Sequence, residues 1–311
     1  MYMHHIRRGS GKPLLLIHGI GSSWRSWRRI IYSLTDAGRE VIAIDLPGHG
    51  DTPPLDGEVS IRTLADAVTE FLRSENLLGI DAVGSSMGAR LVLELARRGN
   101  VLGSVISLDP GGFWQGWEVP VFYYSVAGSM RLVRSLQPVL PALTWNPLSR
   151  TALLAQFSAR PWNVPSALAL GELNCLATSR SADELLNNLA WGEPQKGAPK
   201  GSLKSPLVIG WGRQDLVCLP RQAERAMAAF PDAHLHWFAN CGHFPQWDRP
   251  KETVRLILAV TAGKALPTMP SQERTHPVPV KAWAAMLGVG FAMAAGTVWM
   301  LRRRGIGSVP A

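Results

Sequence analysis

Apolar residues along this chain gather in short unbroken runs, each closed by glycine or a polar loop. KPLLLIHG (12–19), VIAIDL (41–46), GIDAVG (79–84), VISLD (105–109), PLVIGWG (206–212) and HLHWF (234–238) are of this kind. Runs of that length without alternation suit strands buried on both faces. Between them, Trp24, Trp27, Ile31 and Leu34 recur at helical spacing, as do Ile61, Leu64, Ala65, Val68, Phe71 and Leu72. Further helices are predicted over residues 89–98, 223–230 and 252–260. Strands alternating with helices in this way predict an α/β fold, a mostly parallel sheet flanked by helices. Function in such sheets gathers at the carboxyl ends of the strands, and each polar cluster of the sequence follows a strand.

Residues 113–204 break the rhythm. They are rich in tryptophan (Trp114, Trp117, Trp145, Trp162, Trp191) and proline, and they read as short helices. The expected organisation is a core in two parts, 1–112 and 205–263, with 113–204 as a helical cap over the strand ends. Most of the cap tryptophans are expected in its core. Residues 264–281, with Pro267, Pro270, Pro277 and Pro279, read as an extended linker.

The chemistry centres on GSSMG, residues 84–88. It fits G-x-S-x-G with Ser86 in the middle, between a predicted strand and a predicted helix. That is the setting of a nucleophile elbow, a tight turn that projects one hydroxyl while the glycines make room. Ser85 is expected to point into the scaffold. A lone serine is a poor nucleophile; it needs a base, and the base needs an orienting carboxylate. Asp215 and His243 follow at later strand ends, giving the order Ser86, Asp215, His243. Asp109, which closes the strand before the cap, is the alternative acid. The tetrahedral intermediate needs oxyanion donors, and the backbone amides of Met87 and of Ile20 in HGIG (18–21) are the candidates. One such donor contributes about 3 kcal/mol to transition-state stabilisation. His18 is expected to support that loop and His49 to be structural.

These motifs, with DLPGHGDT (45–52), GRQD (212–215) and CGHFPQWDRP (241–250), resemble the α/β-hydrolase fold superfamily from about residue 3 to residue 262. The resemblance implies an α/β-hydrolase fold with the cap inserted after the sixth strand. It assigns Ser86 as nucleophile, Asp215 as acid and His243 as base, with Ile20 and Met87 as oxyanion donors. Only seventeen residues precede His18, so the family's first edge strand is expected to be missing, or to lie upstream of the given start. The sheet would then begin with residues 2–7. Members with an aspartate nucleophile, epoxide hydrolases and haloalkane dehalogenases, are disfavoured by Ser86. The expected activity is hydrolysis of carboxylic esters of lipophilic or aromatic acids. The alternative is a carbon–carbon bond hydrolase of vinylogous diketones, whose elbow and histidine loop GSSMG and HFPQWDRP resemble. Arg90 or Arg160 would then anchor a substrate carboxylate. A non-catalytic receptor on the same scaffold is a third, disfavoured reading.

Charge and cysteine content narrow the field further. The net charge is +9, but six basic residues lie from Lys264 onward against Glu273 alone. The remainder carries an ordinary charge for a globular domain. No basic run is interleaved with aromatics, so nucleic-acid binding is not expected. Cys175, Cys218 and Cys241 are scattered, which points to neither a disulfide framework nor a zinc site. Cys218 and Cys241 are expected as small buried residues. No cofactor or metal is called for. Residues 282–301 are twenty residues without a charge between Lys281 and Arg302–Arg304, long enough for a transmembrane helix. Trp283 and Trp299 would be its interfacial anchors. Gly288, Ala292 and Gly296 would form a face for a helix-mediated homodimer. With 302–311 as a basic tail, the expectation is membrane association by this one span, the hydrolase part lying on the cytoplasmic side.

Overall fold

The structure, a computed structural model, describes residues 2–264. β1 (His5–Arg8) opens a seven-stranded sheet continued by β2 (Lys12–Ile17). Then follow α1 (Arg28–Asp36), β3 (Arg39–Ile44), α2 (Ile61–Ser74), β4 (Ile80–Ser85), α3 (Met87–Arg98) and β5 (Leu102–Leu108). A helical insert comes next: α4 (Glu118–Leu136), α5 (Leu140–Trp145), α6 (Pro147–Leu154), α7 (Ser166–Thr178) and α8 (Ala182–Trp191). The chain returns through β6 (Leu207–Gly212), α9 (Gln222–Ala229), β7 (His234–Phe238), α10 (Pro245–Asp248) and α11 (Pro250–Thr261). The sheet order is β1-β3-β2-β4-β5-β6-β7, and only β1 runs antiparallel.

Why the strands are apolar throughout is visible in β2. Leu14 and Leu16 pack with Trp27, Ile30, Leu34 and Ile257, on the face covered by α1 and α11. Leu15 and Ile17 pack with Leu64, Val68 and Leu91, on the face covered by α2 and α3. A strand with period-two side chains and helices on both faces has no position for a polar residue.

Three expectations need correction. The insert follows the fifth strand counted along the described chain, not the sixth, because a single antiparallel strand, β1, precedes β2 and pairs with β3. The tryptophans of the insert are mostly outside its core: Trp117, Trp145, Trp162 and Trp191 are exposed, and Trp114 alone is largely covered, stacked 3.9 Å from Phe122. Trp117, Trp145 and Trp191 sit just before or at the ends of α4, α5 and α8 and Trp162 in a single turn, whereas the insert core is built by Phe122, Val126, Met130, Leu168, Leu173 and Leu186. Membrane association through a C-terminal span, with the location it implied, is also corrected. Among the described residues no helix is long and apolar enough to cross a membrane. Residues 282–301, on which the span and the helix-paired homodimer rested, lie outside the described residues.

Candidate active site

At the end of β4 the chain makes its sharpest turn. Ser86 has φ 59° and ψ −117° and is followed at once by the first turn of α3. Its amide is tied to the Leu108 carbonyl at 2.9 Å. The two glycines of GSSMG are required by packing. A Cβ on Gly84 would stand 2.1 Å from the Gly88 carbonyl oxygen, and one on Gly88 would stand 2.3 Å from that of Ile17. Strand, helix and β2 therefore cross with no room for a side chain. Of the two serines, Ser85 is fully buried and its hydroxyl accepts from Gln246 Nε2 at 3.1 Å. Ser86 is the one that reaches the strand ends.

There the Ser86 hydroxyl donates to His243 Nε2 at 2.8 Å, and His243 Nδ1–H donates to Asp215 Oδ2 at 2.8 Å. Asp215 also accepts the amides of Val217 (2.7 Å) and Cys218 (3.0 Å) on Oδ1. Those bonds fix the orientation of the carboxylate. Asp109, the alternative acid, makes no hydrogen bond to His243; its Oδ1 accepts from the Gly212 amide at 2.8 Å. Burial and the neighbouring Asp215 hold its carboxyl well above the usual range.

The HGIG loop lies directly over the serine. A Cβ on Gly19 would be 3.0 Å from Ser86 Cβ and 3.4 Å from its hydroxyl oxygen. Ile20 follows Gly19 in that loop, and Met87 follows Ser86 at the start of α3. His18 braces the loop from behind: its Nδ1–H donates to the Gly19 carbonyl at 2.7 Å, and Nε2 accepts the Leu46 amide at 2.9 Å. Burial depresses His18 to about 4 and His49, 5.2 Å away, to about 3. Both imidazoles are neutral at physiological pH.

The insert rests on the same loops. The Phe157 carbonyl accepts the His243 amide at 2.9 Å, the Ser179 hydroxyl donates to the Gly48 carbonyl at 3.1 Å, and Leu176 fills the space beside Gly21. Phe244 and Phe157 stand beside His243, with Phe244 4.8 Å from the imidazole. Arg90 does not enter the site; its guanidinium donates to the carbonyls of Leu189 and Glu193 and pins the end of α8. Arg160 is half-buried beside Ser158, close to the His243 loop, and its side chain bonds to no acceptor among the described residues.

Two further carboxyls had no place in the sequence reading. Asp248 accepts from the amides of Gly242 (2.7 Å) and Ala159 (2.8 Å) and from the Ser158 hydroxyl. It thus clamps the His243 loop to the insert. Glu172, on α7, accepts from the Ser22 hydroxyl at 2.6 Å just after HGIG and is pushed up to about 8 by burial. A signal for Glu172 existed, since it is the one charge in the otherwise apolar SALALGELNCLAT. Asp248 had only its place within HFPQWDRP. For metal binding, Asp215, Cys218 and His243 bring donor atoms within 4.8 Å of one another. Both nitrogens of His243 are committed to Ser86 and Asp215, and burial holds the Cys218 thiol well above its usual range. That set is a poor chelator.

A mostly parallel sheet in this order, with an elbow serine, a histidine and an aspartate beyond three strand ends, defines the α/β-hydrolase architecture. The sequence profile of the Alpha/beta hydrolase family matches residues 14–256, and the chain belongs to that family. It is a hydrolase. Among its relatives is 2-hydroxy-6-oxo-6-phenylhexa-2,4-dienoate hydrolase of Comamonas testosteroni, 26% identical over 82% of this chain and 90% of that protein. Similar folds include a thermophilic esterase of Thermogutta terrifontis (TM-score 0.65, 18% identity, 84% of this chain and 93% of that one). A meta-cleavage product hydrolase of Pseudomonas fluorescens is equally similar in fold (TM-score 0.64, 21% identity, 84% and 94%).

Proposed function

We propose that this hydrolase uses Ser86 as nucleophile, His243 as general base and acid, and Asp215 to orient the imidazole, cleaving carboxylic esters through an acyl-enzyme. The observation that carries the reading is the unbroken pair of 2.8 Å hydrogen bonds from Ser86 to His243 and from His243 to Asp215. Ser86 Oγ attacks the ester carbonyl carbon as its proton passes to His243 Nε2. The resulting oxyanion receives the amides of Ile20 and Met87, and the imidazolium is held by Asp215. Collapse breaks the carbon–oxygen bond, and the His243 proton leaves with the alcohol. Water then repeats the sequence on the acyl-enzyme. Residues 113–204 act as the cap, and the phenylalanines beside His243 favour lipophilic or aromatic acyl groups.

A second reading has its own support. The Comamonas relative is named for a dienoate substrate, and Arg160 is a cation free of carboxylate partners among the described residues. On that reading the same relay acts on a vinylogous diketone and Arg160 receives its carboxylate. The two are separated by assaying p-nitrophenyl esters of graded chain length beside a ring-cleavage dienoate. Turnover of esters with none of the dienoate favours the first. Dienoate turnover that Arg160→Ala abolishes, with esters inert, replaces it by the second.

A further inference from the structure

We propose that Asp109 is a positioning residue for this relay: a carboxyl that keeps its proton and donates it in a hydrogen bond to the Asp215 carboxylate. The inference rests on the reading of Ser86, His243 and Asp215 as catalytic.

Asp109 ends β5 and Asp215 lies in the loop after the neighbouring β6, so adjacent strands deliver two carboxyls to one place. Asp109 is held there by an unusual backbone. Its φ is 49°, its amide donates to the Gly210 carbonyl at 2.8 Å, and its Oδ1 accepts the Gly212 amide at 2.8 Å. Asp109 and Asp215 are both almost fully buried and meet at Gly212, whose amide donates to Asp109 Oδ1 at 2.8 Å and whose carbonyl accepts the Asp215 amide at 3.2 Å. The neighbouring Asp215 helps to hold the Asp109 carboxyl well above the usual range. No lysine or arginine pairs with either among the described residues. The other titratable groups facing Asp109 are Asp248 on α10, the Cys218 and Cys241 thiols and, through Asp215, His243. None of these is a permanent cation. Two adjacent carboxylates in such surroundings cannot both stay charged, and one proton is retained between them.

The hydrogen bonds say which carboxyl holds it. Asp215 receives three N–H donors, those of Val217, Cys218 and His243, so both of its oxygens are already engaged as acceptors. Asp109 receives one, and its buried Oδ2 has no partner among the other donors of the described residues. A proton on that oxygen turns an unsatisfied acceptor into a donor, for which Asp215 is the neighbouring acceptor. A bond donated to Asp215 would hold that carboxylate in addition to its N–H donors. A loop-capping role alone would need only Oδ1.

The substitution that separates these roles is Asp109→Asn, whose amide reproduces both the donor and the acceptor, set against Asp109→Ala, which has neither. The infrared difference spectrum of wild type minus Asp109→Asn at neutral pH should contain the C=O band of a protonated carboxyl. In the pH profile of kcat/KM for a p-nitrophenyl ester, the acid limb should stay within about 0.3 unit in Asp109→Asn, because a neutral group replaces a neutral group. Asp109→Ala should lower kcat about tenfold or more at unchanged KM, with Asp109→Asn restoring most of it. Absence of the carboxyl band from the difference spectrum, or an acid limb displaced downward by about a unit in Asp109→Asn, would mean that Asp109 is ionised and would overturn the proposal. The infrared readout needs no turnover. A failure of the relay reading, seen as an active Ser86→Ala, is therefore distinguishable from a failure of this one.

Discussion

Ser86 occupies a backbone region that costs a non-glycine residue about 1–3 kcal/mol, and the surrounding atoms explain how it is held. Its amide is bound to Leu108, the flanking glycines let β4, α3 and β2 close on one another, and its hydroxyl is bound to His243. Ser86→Ala should leave the melting temperature nearly unchanged and lower kcat by about 10⁴-fold or more; thermal unfolding and single-turnover kinetics on one preparation test both halves. Gly19→Ala should behave differently. Its Cβ would press on Ser86 Cβ at 3.0 Å without a forbidden φ, so kcat should fall about tenfold or more while the melting temperature moves little. Asp215→Asn should cost about 10⁴-fold in kcat, far more than Asp109→Asn, and the reverse ranking in steady-state assays would transfer the orienting role. That Ser86, Asp215 and His243 come together could be expected from the sequence, because Ser86 directly follows the β4 run and Asp215 and His243 lie in the polar loops after β6 and β7. The choice between Asp215 and Asp109 was not, because both end strands and only the hydrogen bond to His243 Nδ1 tells them apart.

Helix α7 joins the insert to the loop that carries Ile20, and Glu172 and Leu176 are its points of contact. Glu172 ionises at about 8 here against an ordinary 4.5, because burial disfavours its charge. The folded state therefore holds a proton that the unfolded state releases between those two pH values, and stability falls as pH rises from about 4.5 to about 8. Glu172→Gln mimics the protonated group. Its melting temperature should match wild type near pH 5 and exceed it by about 5 °C near pH 8; a difference that does not change with pH would mean that Glu172 is not buried against Ser22 in solution. Strand runs and most helices were readable from periodicity, because a strand covered on both faces has a single compositional solution. The insert was not readable in detail. Its helices vary widely in length, and most of its tryptophans face outward, so tryptophan content pointed to the wrong core.

On the scale of the whole molecule, the sheet presents three side chains from three strand ends to one point, and the insert closes over them through the His243, Gly21 and Gly48 loops. The phenylalanines beside His243 make that enclosure apolar. Across p-nitrophenyl esters, kcat/KM should rise from acetate to medium-chain acids, and a flat or falling profile would remove the lipophilic pocket from the account. The fold class followed from the order of runs and loops, whereas the clamp by Asp248 and the bracing by Glu172 depend on contacts between segments far apart in the chain, which no local pattern encodes. The central claim is that Ser86, activated by His243, is the nucleophile of this hydrolase. Its most direct test is treatment of the full chain with a fluorophosphonate probe, followed by intact-mass measurement and peptide mapping. One adduct is expected, on Ser86 in the GSSMG peptide, absent from Ser86→Ala and strongly slowed in His243→Ala. An unlabelled wild-type protein, or an adduct that persists in Ser86→Ala, would contradict it.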